Sequence, residues 1–169
     1  QEKSGFIPNV FLALARRPDE FRAFFAYHDA LMERPGGLSK AEREMIVVAT
    51  SAANDCQYCV IAHGAILRIR AKRPFLADQI AINHRKAELT ARERAIVTFA
   101  LAVAEHAQAV GDDHYAALRA QGLTDDDAWD IVAIASFFAM SNRLANALDI
   151  RPNPEFYTLG RHIPPPSDR

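Results

Sequence analysis

Hydrophobic residues recur along this chain at helical spacing. Between Pro18 and Arg34, Phe21, Phe24, Phe25, His28, Leu31 and Met32 fall at i, i+3, i+4, i+7, i+10 and i+11, one stripe on one helix face. Pro18 suits a first helical turn, where its missing N–H is no loss, and Pro35-Gly36-Gly37 ends the segment. Ser39-Lys40-Ala41-Glu42 then reads as a capping box in front of Met45, Ile46, Val48, Ala49 and Ala52. Asn54-Asp55 breaks that helix, and Asp55 is placed to cap another from about Cys56 to Ala71. Further helices are predicted from Pro74 to about Asn83, Thr90 to Ala109, Asp112 to Gln121 and Thr124 to about Leu148. No convincing alternating strand interrupts them. The fold class is all-α, a helical bundle.

Two segments depart from simple amphipathicity. Trp129 to Met140 is apolar almost all round, including Ile131, Val132, Ile134, Phe137 and Phe138, which suits the centre of a bundle or a subunit interface. After Ile150, five of the nine prolines lie between Pro152 and Pro166, so an extended tail is expected. Phe156, Tyr157 and Leu159 suggest that its first part docks, on its own domain or across a neighbouring subunit. The expected organisation is one all-helical domain over residues 1–150 with a Pro-rich tail over 151–169. One internal similarity stands out: the stretch Leu38 to Ala49 aligns with Leu89 to Ala100, keeping Leu, Ser/Thr, Glu-Arg and Ala. Two independent capping boxes or a duplicated helical hairpin would each produce it. The linear alignment sets Ala95 against Glu44, and Ala107 and Val110 against Cys56 and Cys59, so chemistry belongs to the first copy.

Composition narrows the picture. With 169 residues, half of them hydrophobic, the chain can bury roughly 70% of its unfolded surface, and it needs no metal or disulfide to fold. Twenty basic against twenty-one acidic residues remove the electrostatic reason to expect nucleic acid or an acidic membrane as partner. No apolar run reaches membrane-spanning length, and Gln1 opens no basic-then-apolar leader. Two cysteines are too few for a disulfide scaffold, so a cytoplasmic location is expected.

Those two cysteines carry the candidate chemistry. Asp55-Cys56-Gln57-Tyr58-Cys59-Val60-Ile61-Ala62-His63 puts a CxxC at a helix start, with both sulfurs within disulfide reach across one turn. The free N–H groups and positive dipole end of that turn stabilise a thiolate. His63, four residues after Cys59 on the same face, can accept the thiol proton directly or through water. Thiol–disulfide exchange, peroxide reduction through a sulfenic acid and zinc binding share this spacing. For zinc, Cys56, Cys59 and His63 supply three ligands, with Glu44 or His28 as a candidate fourth. His28 otherwise reads as a hydrogen-bonded core histidine, and His84, His106, His114 and His162 as solvent-exposed. Arg68, Arg70, Lys72 and Arg73 suit the dipole end of the CxxC helix, or else steer an acidic partner.

Glu44, eleven residues, Cys56-x-x-Cys59, three residues and His63 together resemble the signature of the alkylhydroperoxidase D/carboxymuconolactone decarboxylase superfamily, in its peroxidase-related branch. The block from Leu38 to Arg68 carries most of the likeness. The Arg-Pro-Asp helix start at Arg17 and the run Asn142-Arg143-Leu144-Ala145-Asn146 are also similar to that branch. The resemblance implies an all-helical homo-oligomer, commonly a trimer or hexamer, and a thiol-dependent peroxidase that needs no cofactor. It implies that Cys59 attacks the hydroperoxide and Cys56 resolves the sulfenic acid to a disulfide. His63 would take the thiol proton and Glu44 would orient and charge-stabilise His63. A dithiol reductant or peroxiredoxin-type partner would complete the cycle. Tyr58 stands where alkylhydroperoxidase D members often have a further histidine. The other readings are lactone decarboxylation, with His63 and Glu44 moving protons, and a zinc-binding or redox-sensing module; retention of both thiols favours redox work over decarboxylation.

Overall fold

A computed structural model describes residues 5–161. Among them the regular elements are all helical: α1 (Asn9–Leu14), α2 (Pro18–Met32), α3 (Lys40–Ala53), α4 (Gln57–Ala71), α5 (Leu76–Asn83), α6 (Ala91–His106), α7 (Asp112–Arg119), α8 (Asp125–Ala147) and α9 (Glu155–Thr158). Short 3₁₀ turns follow α5 and α6, at His84–Lys86 and Ala107–Ala109. The second takes the last residues of the helix expected from Thr90 to Ala109, and the first extends beyond the expected end at Asn83. No helix among the described residues is long and apolar enough to cross a membrane.

The capping boxes read from sequence are formed. Ser39 N donates to Glu42 Oε2 at 2.7 Å and Glu42 N returns to Ser39 Oγ at 3.2 Å, which satisfies two free amides of α3. Thr90 and Glu93 do the same for α6, and Thr124 with Asp127 for α8. The expected cap at Asp55 is different. Asp55 adopts the left-handed conformation (φ 50°) and terminates α3, while Cys56 is the N-cap of α4. Asp55 N donates to Ala52 O at 3.1 Å and Cys56 N to Ser51 O at 2.9 Å, the two bonds of a Schellman motif. An asparagine-aspartate pair tolerates that conformation, and here it reverses the chain between two helices.

The bundle is built around α3, whose residues from Glu42 to Ser51 are all buried. α4, α5, α6 and α8 surround it. Of the two places expected for the segment Trp129 to Met140, the bundle centre or a subunit interface, the centre is thus taken by α3. In α8, Ile131, Ile134, Phe137 and Phe138 face inward, whereas Trp129 is 71% exposed and Met140 is also exposed. A run can be apolar all round and still cover only one side of a bundle. Placing α3 centrally needs small side chains where helices approach, and Ala49, Thr50 and Ser51 supply them.

Buried polar groups fasten the layers. Arg43, almost inaccessible on α3, donates to Leu31 O at 2.6 Å and pairs with Asp130 of α8 at 2.9 Å. The connection between α2 and α3 runs close over the start of α8. A Cβ on Gly37 would lie 2.2 Å from Asp127 Oδ1, so this position accepts no side chain.

Both ends of the described chain pack onto α4. The segment after Ile150 is not simply extended: Pro154 starts the single turn of α9, and Phe156 is buried against Tyr58. Proline is excluded from helix interiors but is compatible with a helix start. Arg68 holds this turn through its carbonyls, donating to Phe156 O and Leu159 O, both at 2.9 Å. Residues 162–169, with the last three prolines and His162, lie outside the described residues. α1, which the periodicity does not predict, is tied to the same region by Asn9 N to Asn153 Oδ1 (2.8 Å) and Asn153 Nδ2 to Ile7 O (3.0 Å).

Candidate active site

Cys56 and Cys59 are both reduced and buried. They occupy the N-cap and N3 positions of α4, the places that Ser39/Glu42, Thr90/Glu93 and Thr124/Asp127 occupy on α3, α6 and α8. In α4 two thiols thus replace a capping pair. The Cys56 sulfur makes no full capping hydrogen bond, but the Cys59 group beside it still shapes its charge. The Cys56 thiol is lowered to about 6, first by the hydrogen bond from the Cys59 thiol. The Cys59 backbone amide, the Asn142 side chain and the charge of His63 add to that effect, against burial. The Cys59 thiol is pushed well above its usual range, because it serves as donor to Cys56 and because it is buried. The two thiols titrate as one coupled pair, Cys56 lowered and Cys59 raised.

His63 and Glu44 meet as expected. His63 Nδ1 donates to Glu44 Oε2 at 2.8 Å across the α3–α4 interface. Glu44 is 2% exposed and the His63 side chain 13%. With Nδ1 engaged, Nε2 is left as the ring's other proton acceptor. Phe138 closes one side of the imidazole, edge-on with centroids 4.8 Å apart. Glu44 and His63 thus meet across the α3–α4 interface, and Cys56 and Cys59 stand at the start of α4, just after the turn from α3.

Several supporting residues escaped the sequence reading. Asn142, fully buried on α8, donates to Ser51 Oγ at 3.0 Å and accepts from Asn54 Nδ2 at 3.3 Å. Asn146 Nδ2 donates to Asn54 O at 3.0 Å. Together they clamp the Schellman turn that presents Cys56. In the sequence Asn142 and Asn146 stood only within the run similar to the peroxidase-related branch, and their spacing alone leaves them without a partner. The basic cluster ending α4 is spent within the chain: Arg68 holds the tail, Arg73 pairs with Glu93, and Arg70 Nη1 reaches Glu44 Oε1 at 3.1 Å.

The Tyr58 hydroxyl accepts from Val10 N at 3.4 Å, and burial pushes it up to about 12. His28 Nδ1 lies 2.9 Å from Asp29 Oδ1 and its ring is 6.4 Å from that of His63, so it borders the site as a partly covered residue of the α2 stripe. His84 and His114 are half-buried rather than exposed, and His114 Nδ1 accepts from Gly111 N at the start of α7. Among the described residues no group of three or more His, Cys, Asp and Glu side chains is arranged to hold a metal ion. Glu44 and His28, the candidate fourth ligands, are engaged elsewhere.

The sequence model of the carboxymuconolactone decarboxylase family matches twice, over residues 18–74 and 71–150. The two matches correspond to α2–α4 and α5–α8, the duplication suggested by the Leu38 and Leu89 stretches. No curated protein matches the chain. Among solved structures, an alkylhydroperoxidase AhpD core, a peroxidase-related protein from Ralstonia eutropha JMP134, shares 62% identity with a TM-score of 0.94. That match covers 96% of this chain and 85% of the other. A peroxidase-related protein from Silicibacter sp. TM1040 shares 39% identity with a TM-score of 0.92, over 95% and 84% of the two chains. The debrominase Bmp8 shares the fold alone, at 21% identity and a TM-score of 0.69 over 94% and 84%. Twice matched by the family model and closely similar to two peroxidase-related structures, this all-helical chain belongs to the carboxymuconolactone decarboxylase family, in its alkylhydroperoxidase-like, peroxidase-related branch.

Proposed function

We propose that the protein is a thiol-dependent peroxidase that reduces hydroperoxides through the Cys56/Cys59 pair. The observation that carries this reading is a buried pair of reduced thiols at the start of α4, the helix that also carries an imidazole aligned by a carboxylate. Together these groups supply a nucleophile, a resolving thiol and a proton carrier. The thiolate attacks one oxygen of ROOH and breaks the O–O bond. His63 supplies the proton that releases ROH, leaving a sulfenic acid. The second thiol then condenses with it, forming the disulfide and releasing water. The two electrons come from the cysteine pair, and an external dithiol of the reductant or peroxiredoxin-type class returns them by disulfide exchange.

The lowering of the Cys56 thiol supports Cys56 as the attacking sulfur and Cys59 as the resolving one, the reverse of the order the resemblance implies. In this order the Cys59 thiol already faces the sulfur it must later trap. Titration of free thiols with and without a hydroperoxide tests the function, alongside assay of the alcohol formed. Loss of two thiols per chain with one alcohol released is expected. Thiols that survive peroxide while a lactone substrate is consumed would move the protein to decarboxylation.

The relay has its own measurement, the rate of thiol alkylation against pH. His63→Ala should move the alkylation midpoint up by about one unit, which is about tenfold in rate on the acid side. Glu44→Gln should shift it less, in the same direction, and both defects should vanish as pH rises. Profiles identical to the unaltered protein would make Glu44 and His63 purely structural.

A further inference from the structure

We propose that Arg70 is a positioning residue of this site, holding the Glu44 carboxylate in the one orientation that serves His63. The inference rests on the relay reading above. Arg70 follows His63 by seven residues, two turns along the same face of α4, so both side chains reach across to α3. The carboxylate of Glu44 is divided between them: Oε2 accepts from His63 Nδ1 at 2.8 Å, and Oε1 lies 3.1 Å from Arg70 Nη1. A carboxylate held at one oxygen can still rotate about its final bond. Held at both, it cannot turn without losing a charge contact in a water-poor interface, where such contacts weigh most.

Arg70 is itself secured. Its Nη2 donates to Glu33 Oε1 at 2.8 Å, and Glu33 also meets Lys40. A row of alternating charges, Lys40, Glu33, Arg70 and Glu44, therefore runs from the surface to the imidazole. The inner link is an electrostatic contact rather than an aligned hydrogen bond, since the buried Nη1 has no hydrogen-bond partner among the described residues. Arginine does not lose its proton at working pH, so this row cannot conduct protons and serves as a brace. The brace stays charged over the range in which the thiols titrate. A residue placed only to complement the end of the helix would have had no reason to turn back towards the middle of α4.

The test compares alkylation midpoints for Arg70→Met, Arg70→Lys, Glu44→Gln and the double variant Glu44→Gln/Arg70→Met, each first checked for its helical circular dichroism. Arg70→Met should raise the midpoint enough to slow alkylation about threefold near pH 6, less than His63→Ala. Arg70→Lys, which restores the charge without the planar fork, should recover part of that loss. The double variant should be no slower than Glu44→Gln alone, because Arg70 acts through Glu44. Glu33→Gln, near the surface and mild for folding, should give a smaller shift in the same direction. Losses that multiply in the double variant, or an unshifted Arg70→Met beside a shifted Glu44→Gln, would overturn this inference and leave the relay standing. Unshifted profiles for both Glu44→Gln and His63→Ala would overturn the relay and this inference together.

Discussion

At the scale of single residues, the site follows from where two thiols stand on one helix. The N-cap and N3 positions of α3, α6 and α8 carry hydroxyl and carboxylate side chains that satisfy free amides. In α4 the same positions hold sulfur, so the first turn directs its amides and dipole at a group that can be oxidised. The pair divides its charge accordingly, with Cys56 lowered to about 6 and Cys59 raised. The sign for reactivity is direct. Above pH 6 the pair carries the Cys56 thiolate, and alkylation should be lost as the pH falls through that value. The order of the two sulfurs is separable by trapping. In Cys59→Ser the sulfenic acid on Cys56 should persist and react with dimedone, while Cys56→Ser should form little. Persistence in Cys56→Ser instead would restore Cys59 as the attacking sulfur.

At the scale of elements, α3 is held to α8 at two levels, and each level has a different purpose. Near the start of α3, Arg43 and Asp130 form a buried pair, with Arg43 also bonded to the carbonyl that ends α2. At the far end, Asn142 and Asn146 grip the turn into α4. The first level is structural. Asp130→Ala leaves a buried guanidinium without its carboxylate and should destabilise the fold by about 3–5 kcal/mol, measured as a lower urea midpoint. If the chain loses less than about 1 kcal/mol, the pair is not a fastening of the bundle. Since Asp130 lies three helical turns from Asn142, the alkylation profile of the folded fraction should stay where it is.

At the scale of the whole molecule, the twofold family match and the paired capping boxes describe one helical unit used twice, with chemistry kept in the first use. The second unit leaves apolar surface uncovered. Trp129, Met140 and Leu144 are exposed on α8, and a groove of about 680 Å³ between α6 and α8 is lined by Val103, Ala135, Ala139, Met140 and Leu144. We expect this face to meet further copies of the chain, since exposed apolar patches of this kind mark association surfaces. Light scattering at micromolar concentration should return a multiple of 18.8 kDa, and Met140→Glu with Leu144→Glu should lower it. A monomer mass for the unaltered protein would remove the expectation.

The sequence by itself determined the helices with clear caps and periodicity, and it brought out Glu44, Cys56, Cys59 and His63. The caps, the thiol pair and His63 are local matters, because a capping box, a stripe and an i+4 spacing depend on residues within a turn or two of one another, whereas Glu44 came from the family resemblance. The elements it missed, α1 and α9, are too short for a period to show, and they persist because Asn9, Asn153, Arg68 and Phe156 hold them to α4 from far along the chain. Which helix occupies the centre was likewise a matter of tertiary packing. Apolar content favoured α8, but close approach on every side favoured α3 with its small residues. The local context of Arg70 explained it fully as a helix-end charge until the fold set Glu44 opposite it. Asn142 became part of the site only when α8 crossed the α3–α4 turn. The division of charge between the thiols is set first by the local contact of Cys59 with Cys56, and the fold adds Asn142 from α8 and the charge of His63.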